Sequence, residues 1–148
     1  YKQVYNENGD VSSIINMLQI NLIIENYLEA IEWGEIAMKT SEIRIERLVF
    51  GQILFNIGLA YTGAGKVYYD KGTYVYNGEN DLTLAIKTDV INNYKLAMSN
   101  FSTARDYFLD AEVEETEGAT EQAKNMKNLI KLIRDSYIPD LEKKSPLN

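Results

Sequence analysis

The chain has no cysteine and no histidine, and its only prolines are Pro139 and Pro146. Without cysteine there is no disulfide, no thiolate nucleophile and no zinc or iron–sulfur ligand of the usual kind. Without histidine there is no imidazole base near neutral pH, no Ser-His-Asp triad and no Glu-x-x-His di-iron motif. What remains is carboxylate, lysine, tyrosine and hydroxyl chemistry. Catalysis by paired carboxylates needs two acids facing one cleft in different environments. The glutamates here fall mostly on polar faces and no such pair stands out. The expectation is a non-catalytic protein with no cofactor and no metal.

Positive charge is also short. Fifteen Lys and Arg against 22 Asp and Glu leave a net charge of −7. Such a surface repels phosphate backbones, so no nucleic-acid partner is expected. Long apolar runs are missing as well, because Glu25, Glu29 and Glu32 break the most hydrophobic region, and no uninterrupted stretch is expected to span a bilayer. The chain opens on Tyr1 rather than Met, which leaves room for a signal peptide or membrane anchor upstream. Localisation, cytoplasmic or extracytoplasmic, is not legible, and neither is oligomeric state.

What is present is ordinary globular material: 148 residues, 45% apolar and 25% charged. A folded chain of this size buries roughly 70% of the surface its unfolded form exposes, so residues 1–148 read as a single helical domain. The absence of proline before Pro139 favours long helices. Residues 1–10 are polar and expected to be loose, with Asp10, Ser12 or Ser13 capping the first helix. Ile14, Leu18, Asn21 and Leu22 share one side, and Tyr27, Ala30, Ile31, Gly34, Ala37 and Met38 share another. Periodicity does not decide whether a turn at about Asn21 to Asn26 separates them. Ser41 reads as the next N-cap, ahead of an apolar run from Leu48 to Tyr61.

Gly63, Gly65 and Gly72 are expected to loosen the chain. Residues 66–81 form a polar insert rich in Tyr and Gly, with a tight-turn signal at Asn77-Gly78. Tyr74, Val75 and Tyr76 there suit a short hairpin or a plain loop. The clearest helix follows, its stripe formed by Val90, Tyr94, Ala97, Phe101, Ala104, Phe108 and Ala111. An acidic joint from Glu112 to Glu121 contains Gly118. The last stripe is Ala119, Ala123, Met126, Ile130, Ile133 and Tyr137, with Pro139 ending the helix and residues 138–148 as a tail. The fold class is all-α, with antiparallel hairpins of about four or five helices, or alternatively an irregular four-helix bundle.

Residues 26–38, Asn-Tyr-Leu-Glu-Ala-Ile-Glu-Trp-Gly-Glu-Ile-Ala-Met, resemble the second helix of a tetratricopeptide repeat, with Ala30 and Ala37 as its small packing residues. Residues 54–65 resemble a first helix through Leu54, Ile57, Gly58, Tyr61 and Gly65. Ala97, Phe101 and Ala104 have second-helix spacing, but Ala97 stands 36 residues beyond Tyr61 (97 − 61), where the family has about nine. The resemblance therefore implies a helix that runs on beyond Gly65, with residues 66–81 at the tip of an elongated hairpin. It covers about 26–65 well and 94–111 in part. The usual proline after each hairpin is missing.

The resemblance implies binding of a protein or peptide on a face lined by first helices, here Ile15, Gln19, Leu22, Ile23, Gln52, Phe55, Leu59 and Thr62. No Lys or Arg is among them, which disfavours a basic carboxylate clamp and suits an apolar groove. The same residues can instead be covered by the C-terminal helix. A second candidate is the tyrosine cluster Tyr61, Tyr68, Tyr69, Tyr74 and Tyr76, since tyrosine is enriched at recognition surfaces. The candidate partner-binding set is Gln52, Phe55, Leu59, Tyr68, Tyr69, Tyr74 and Tyr76. Asp70, Asn77, Glu79, Asn80 and Asp81 offer oxygen ligands but do not match an EF-hand. Lys124, Lys127, Lys131 and Arg134 form a basic stripe, most simply a solvated face. The functional expectation is a protein-interaction or scaffolding module. The alternative is an extracytoplasmic sensor domain, which a buried polar pocket between helices would favour.

Overall fold

Helix after helix, with short connections, makes up almost all of the described chain. The computed structural model describes residues 11–40, 46–78 and 83–144, with backbone alone for 76–78. The elements are α1 (Val11–Ile23), α2 (Tyr27–Lys39), α3 (Arg47–Gly78), α4 (Leu84–Val113), α5 (Ala119–Leu132), a π-helical turn (Ile133–Tyr137) and α6 (Ile138–Lys143). No strand occurs among the described residues. Each helix packs on the next in the chain, most extensively α3 on α4, and α1 also touches α3. The protein is all-α and built from antiparallel hairpins.

The turn that periodicity left open lies between α1 and α2. The Asn26 N–H donates to the Asn21 carbonyl at 2.8 Å, and the Glu25 N–H to the Leu22 carbonyl at 3.2 Å. Glu25 sits at φ 61°. This is the Schellman arrangement, which satisfies carbonyls that a helix end leaves free. The turn from α4 to α5 repeats it: Thr116 N–H to the Ala111 carbonyl at 3.0 Å, Glu115 N–H to the Glu112 carbonyl at 2.9 Å, and Glu115 at φ 59°.

Residues 66–78 are neither a hairpin nor a loop. They continue α3, which runs 32 residues, or about 48 Å at the helical rise. Gly63, Gly65 and Gly72 do not loosen the chain; they let α4 and α2 approach. Gly58, Gly65 and Gly72, each two helical turns apart, receive Phe108, Phe101 and Tyr94 from α4. A Cβ on Gly58 or on Gly65 would lie 2.6 Å from its partner's ring, and one on Gly72 3.1 Å away. In return α4 offers the buried small residues Ala97, Ala104 and Ala111, with Leu54 packed on Ala111. Large residues on each helix meet small ones on the other, so the axes come close along the whole seam. The α4 stripe from Val90 to Ala111 is buried throughout.

Other expectations shift at helix ends. Ser12 and Ser13 lie inside α1 rather than capping it. Asp10, Ser41 and Asp81 fall outside the described residues. Helix α4 is capped by Thr83, whose hydroxyl accepts the Ile86 N–H at 3.2 Å. Pro139 does not end the last helix. A proline lacks the N–H and crowds the carbonyl four residues back, and the chain widens into a π turn just before it, with the Ile138 N–H reaching Ile133. The helix then resumes as α6, and Ile138 and Leu141, expected in a tail, are buried in the core. Lys87 of α4 closes the end by donating to the carbonyls of Glu142 and Lys144 at 3.1 and 3.0 Å.

One expectation about membranes needs correcting. An 18-residue window within Arg47–Val75 has a mean hydropathy of 1.3, and the helix is long and apolar enough to cross a bilayer by length and composition. In this fold it is the central helix, with 56% of that window buried against its neighbours.

Candidate functional site

The expected site residues separate into covered and open groups. Phe55 stacks edge-on against Phe108, with centroids 5.4 Å apart, and Leu59 packs into the same core. One turn on, the Thr62 hydroxyl lies 3.5 Å from the Met126 sulfur of α5. The C-terminal helix therefore covers this part of the face. Gln52 stays exposed, its amide donating to the Asn56 side-chain oxygen at 3.2 Å.

Tyr69 also turns inward. It forms a triangle of rings with Tyr94 and Tyr137, with centroids 5.9, 6.0 and 5.5 Å apart. Its hydroxyl donates to the Tyr137 oxygen at 3.2 Å, and the Tyr94 hydroxyl lies 3.0 Å from that of Thr73. Burial, followed by the bond to Tyr137, pushes the Tyr69 phenol up to about 12. Burial likewise raises Tyr61, Tyr94 and Tyr107. The π turn positions Tyr137, so this cluster ties the C-terminal rod to α3. It is a structural joint.

Tyr74 remains open at 80% exposure, whereas Tyr68 is half-buried, packed in part against the core that α4 lines. The α1–α2 hairpin meets α3 at Gly63, where the Tyr27 ring lies so close that any side chain at 63 would collide with it. Beyond that point α3 continues for fifteen residues, 64–78, about 22 Å, leaving a step. One wall of the resulting notch is the turn Glu25, Asn26, Tyr27 and Leu28; its floor is Ala64, Val67, Tyr68 and Lys71; its volume is about 310 Å³. Leu28 is 72% exposed and Tyr74, two turns beyond Val67 on the same face, is 80% exposed. The Lys71 ammonium lies 5.6 Å from the centre of the Tyr68 ring, within cation–π range. The Tyr76 side chain lies outside the described residues.

Leu28, Val67 and Lys71 were not singled out by sequence reasoning. The signal available for Leu28 and Val67 was their apolar character at positions off both core stripes. A second groove, about 560 Å³, runs between α3 and α5, with Thr62 and Lys66 facing Gln122, Asn125, Met126 and Leu129. Of the basic stripe, Arg134 is bound to Asp135 at 2.8 Å, while Lys124, Lys127 and Lys131 are solvent-exposed. Among the described residues no group of three or more acidic side chains is placed to hold a metal ion.

No family model, curated protein or solved structure matches this chain.

Proposed function

We propose that the protein is a non-catalytic protein-interaction module of hairpins resembling tetratricopeptide repeats, and that it docks a partner in the notch on the flank of α3. The observation that carries the reading is the step itself. Leu28 and Val67 are large, apolar and exposed together at the notch, beside a tyrosine and a lysine that add polar anchoring, and Tyr74 stands exposed two turns farther along α3. Exposed apolar surface of this kind, next to aromatic residues, marks binding sites.

Several features support the repeat resemblance. Ala30 and Ala37 are fully buried small residues of α2, Gly34 receives Ile57, and the helices pack in chain order. The elongated hairpin is the departure from the family pattern, and it creates the notch. A non-catalytic role is supported by the missing His and Cys and by phenols that burial holds above their ordinary range, where none serves as a base at neutral pH.

The test is affinity capture followed by a binding titration with the purified partner. Val67→Asp with Tyr74→Ala should weaken binding by at least about tenfold, an effect of hot-spot size. Unchanged affinity would remove the notch from the reading.

A further inference from the structure

Helix α1 and the residue after it carry no charge. Residues 11–24 contain no Asp, Glu, Lys or Arg, in a chain that is 25% charged with a net charge of −7. Ile14, Leu18 and Asn21 face the core and are buried. The opposite face, Ser12, Asn16, Gln19, Ile20 and Ile23, is solvent-exposed. Ile20 is 49% and Ile23 79% exposed, and Ile24 follows at 63%. The outward stripe of an amphipathic helix is ordinarily charged; here it is isoleucine and neutral amide.

We infer that this face is a homotypic interface, in which two copies of the chain pack α1 against α1 across a twofold axis. Charge is the first argument. Molecules of net charge −7 repel one another, and an uncharged face is where two copies meet at least cost. The amides are the second. In a twofold contact each patch meets itself, and a carboxamide both donates and accepts. Asn16 and Gln19 can therefore pair with their own symmetry mates, as a row of lysines or of glutamates cannot. Depletion of charge beside exposed aliphatic side chains is also the composition of an interface core. A lipid surface fits less well, since membrane-binding helices carry Lys or Arg on their polar face and α1 has neither.

Sedimentation velocity of the full chain over a dilution series should show a monomer–dimer equilibrium. Ile20→Glu with Ile23→Glu brings four carboxylates together across the axis and should raise the dissociation constant by about tenfold or more. Both positions are exposed, and unchanged circular dichroism checks the fold. Independently, a Gln19→Lys chain mixed with a Gln19→Glu chain should form heterodimer in preference to either homodimer. A wild type that stays monomeric throughout overturns the inference, as does a double variant that dimerises like wild type. Equal weakening by Val67→Asp would place the contact in the notch instead and overturn it. A monomer that pellets with anionic phospholipid vesicles makes the face a lipid surface and overturns it too.

Discussion

Glu25 and Glu115 hold the same unusual conformation, φ 61° and φ 59°, at the C-terminal ends of α1 and α4. A left-handed residue with a Cβ costs about 1 kcal/mol or more relative to glycine, and glycine is the usual occupant. Replacing Glu25 by Gly should therefore raise stability by about 0.5–1 kcal/mol, read as a higher urea midpoint at unchanged slope. Glu115→Gly should do nearly as well. Its contact with Arg47, 3.6 Å with the glutamate 80% exposed, is a surface pair of small value, and Arg47 keeps Glu114 at 3.1 Å. The turn at Glu25 was hard to see in the sequence for the same reason, whereas the one at Glu115 falls in the acidic joint that the sequence does mark. Schellman ends are recognised by glycine, and neither turn has one at the left-handed position.

At the scale of the element, the long α3–α4 hairpin rests on side-chain size. Gly65→Ala sets two effects against each other. Alanine gains about 1 kcal/mol of helix propensity, whereas its Cβ would lie 2.6 Å from the Phe101 ring and 3.3 Å from the backbone carbonyl of Ala97. Overpacking costs about 1–3 kcal/mol, and a backbone neighbour cannot swing aside as a side chain can. The expected outcome is a net loss of up to about 2 kcal/mol by chemical denaturation; a gain would show that the two helices are not held at this separation. The stripes of α4 and α5 were legible because residues such as Phe101 and Ala104 repeat with helical period and no proline intervenes. Gly63, Gly65 and Gly72 read locally as breakers and act as contact points only once α2 and α4 are in place, so the continuity of α3 was legible only through the 36-residue step that the repeat resemblance has to span. Pro139 misled in the opposite sense, because a π turn ahead of it lets the helix resume.

For the whole molecule, the buried tyrosines set a limit at high pH. Tyr69 is pushed up to about 12, while an unfolded tyrosine titrates near 10. Above that pH the unfolded chain releases protons that the folded chain retains, so stability falls as pH rises. The contribution is fully present below about pH 10 and is lost as pH climbs through the folded value near 12. Tyr61, Tyr94 and Tyr107, raised in the same direction by burial, steepen the loss. Thermal melts should hold steady up to about pH 10 and then drop sharply, with tyrosinate absorbance rising at the same transition. Tyr137→Phe removes the acceptor for Tyr69 and should move its titration back toward the ordinary value. Absorbance that reaches its full value for all eleven tyrosines near pH 10 without unfolding would show these phenols to be open to solvent.

Of the candidate site, the open tyrosines were legible as a cluster, but the notch was not, because it depends on where the α1–α2 hairpin stops along α3. Leu28 and Val67 are far apart in sequence, and only the step at Gly63 sets them side by side. Phe55 and Leu59 carried the right chemistry for a groove and are covered by a helix that their own segment does not specify.

The most direct measurement is a photo-crosslinking scan in extract from the source cells, with the reactive side chain placed in turn at Val67, Tyr74, Gln52 and Lys127. One discrete protein adduct is expected from positions 67 and 74, lost when Leu28→Asp is added, and no adduct of that size from 52 or 127. Adducts of equal yield at all four positions, or an adduct from 52 or 127 alone, would contradict docking in the notch.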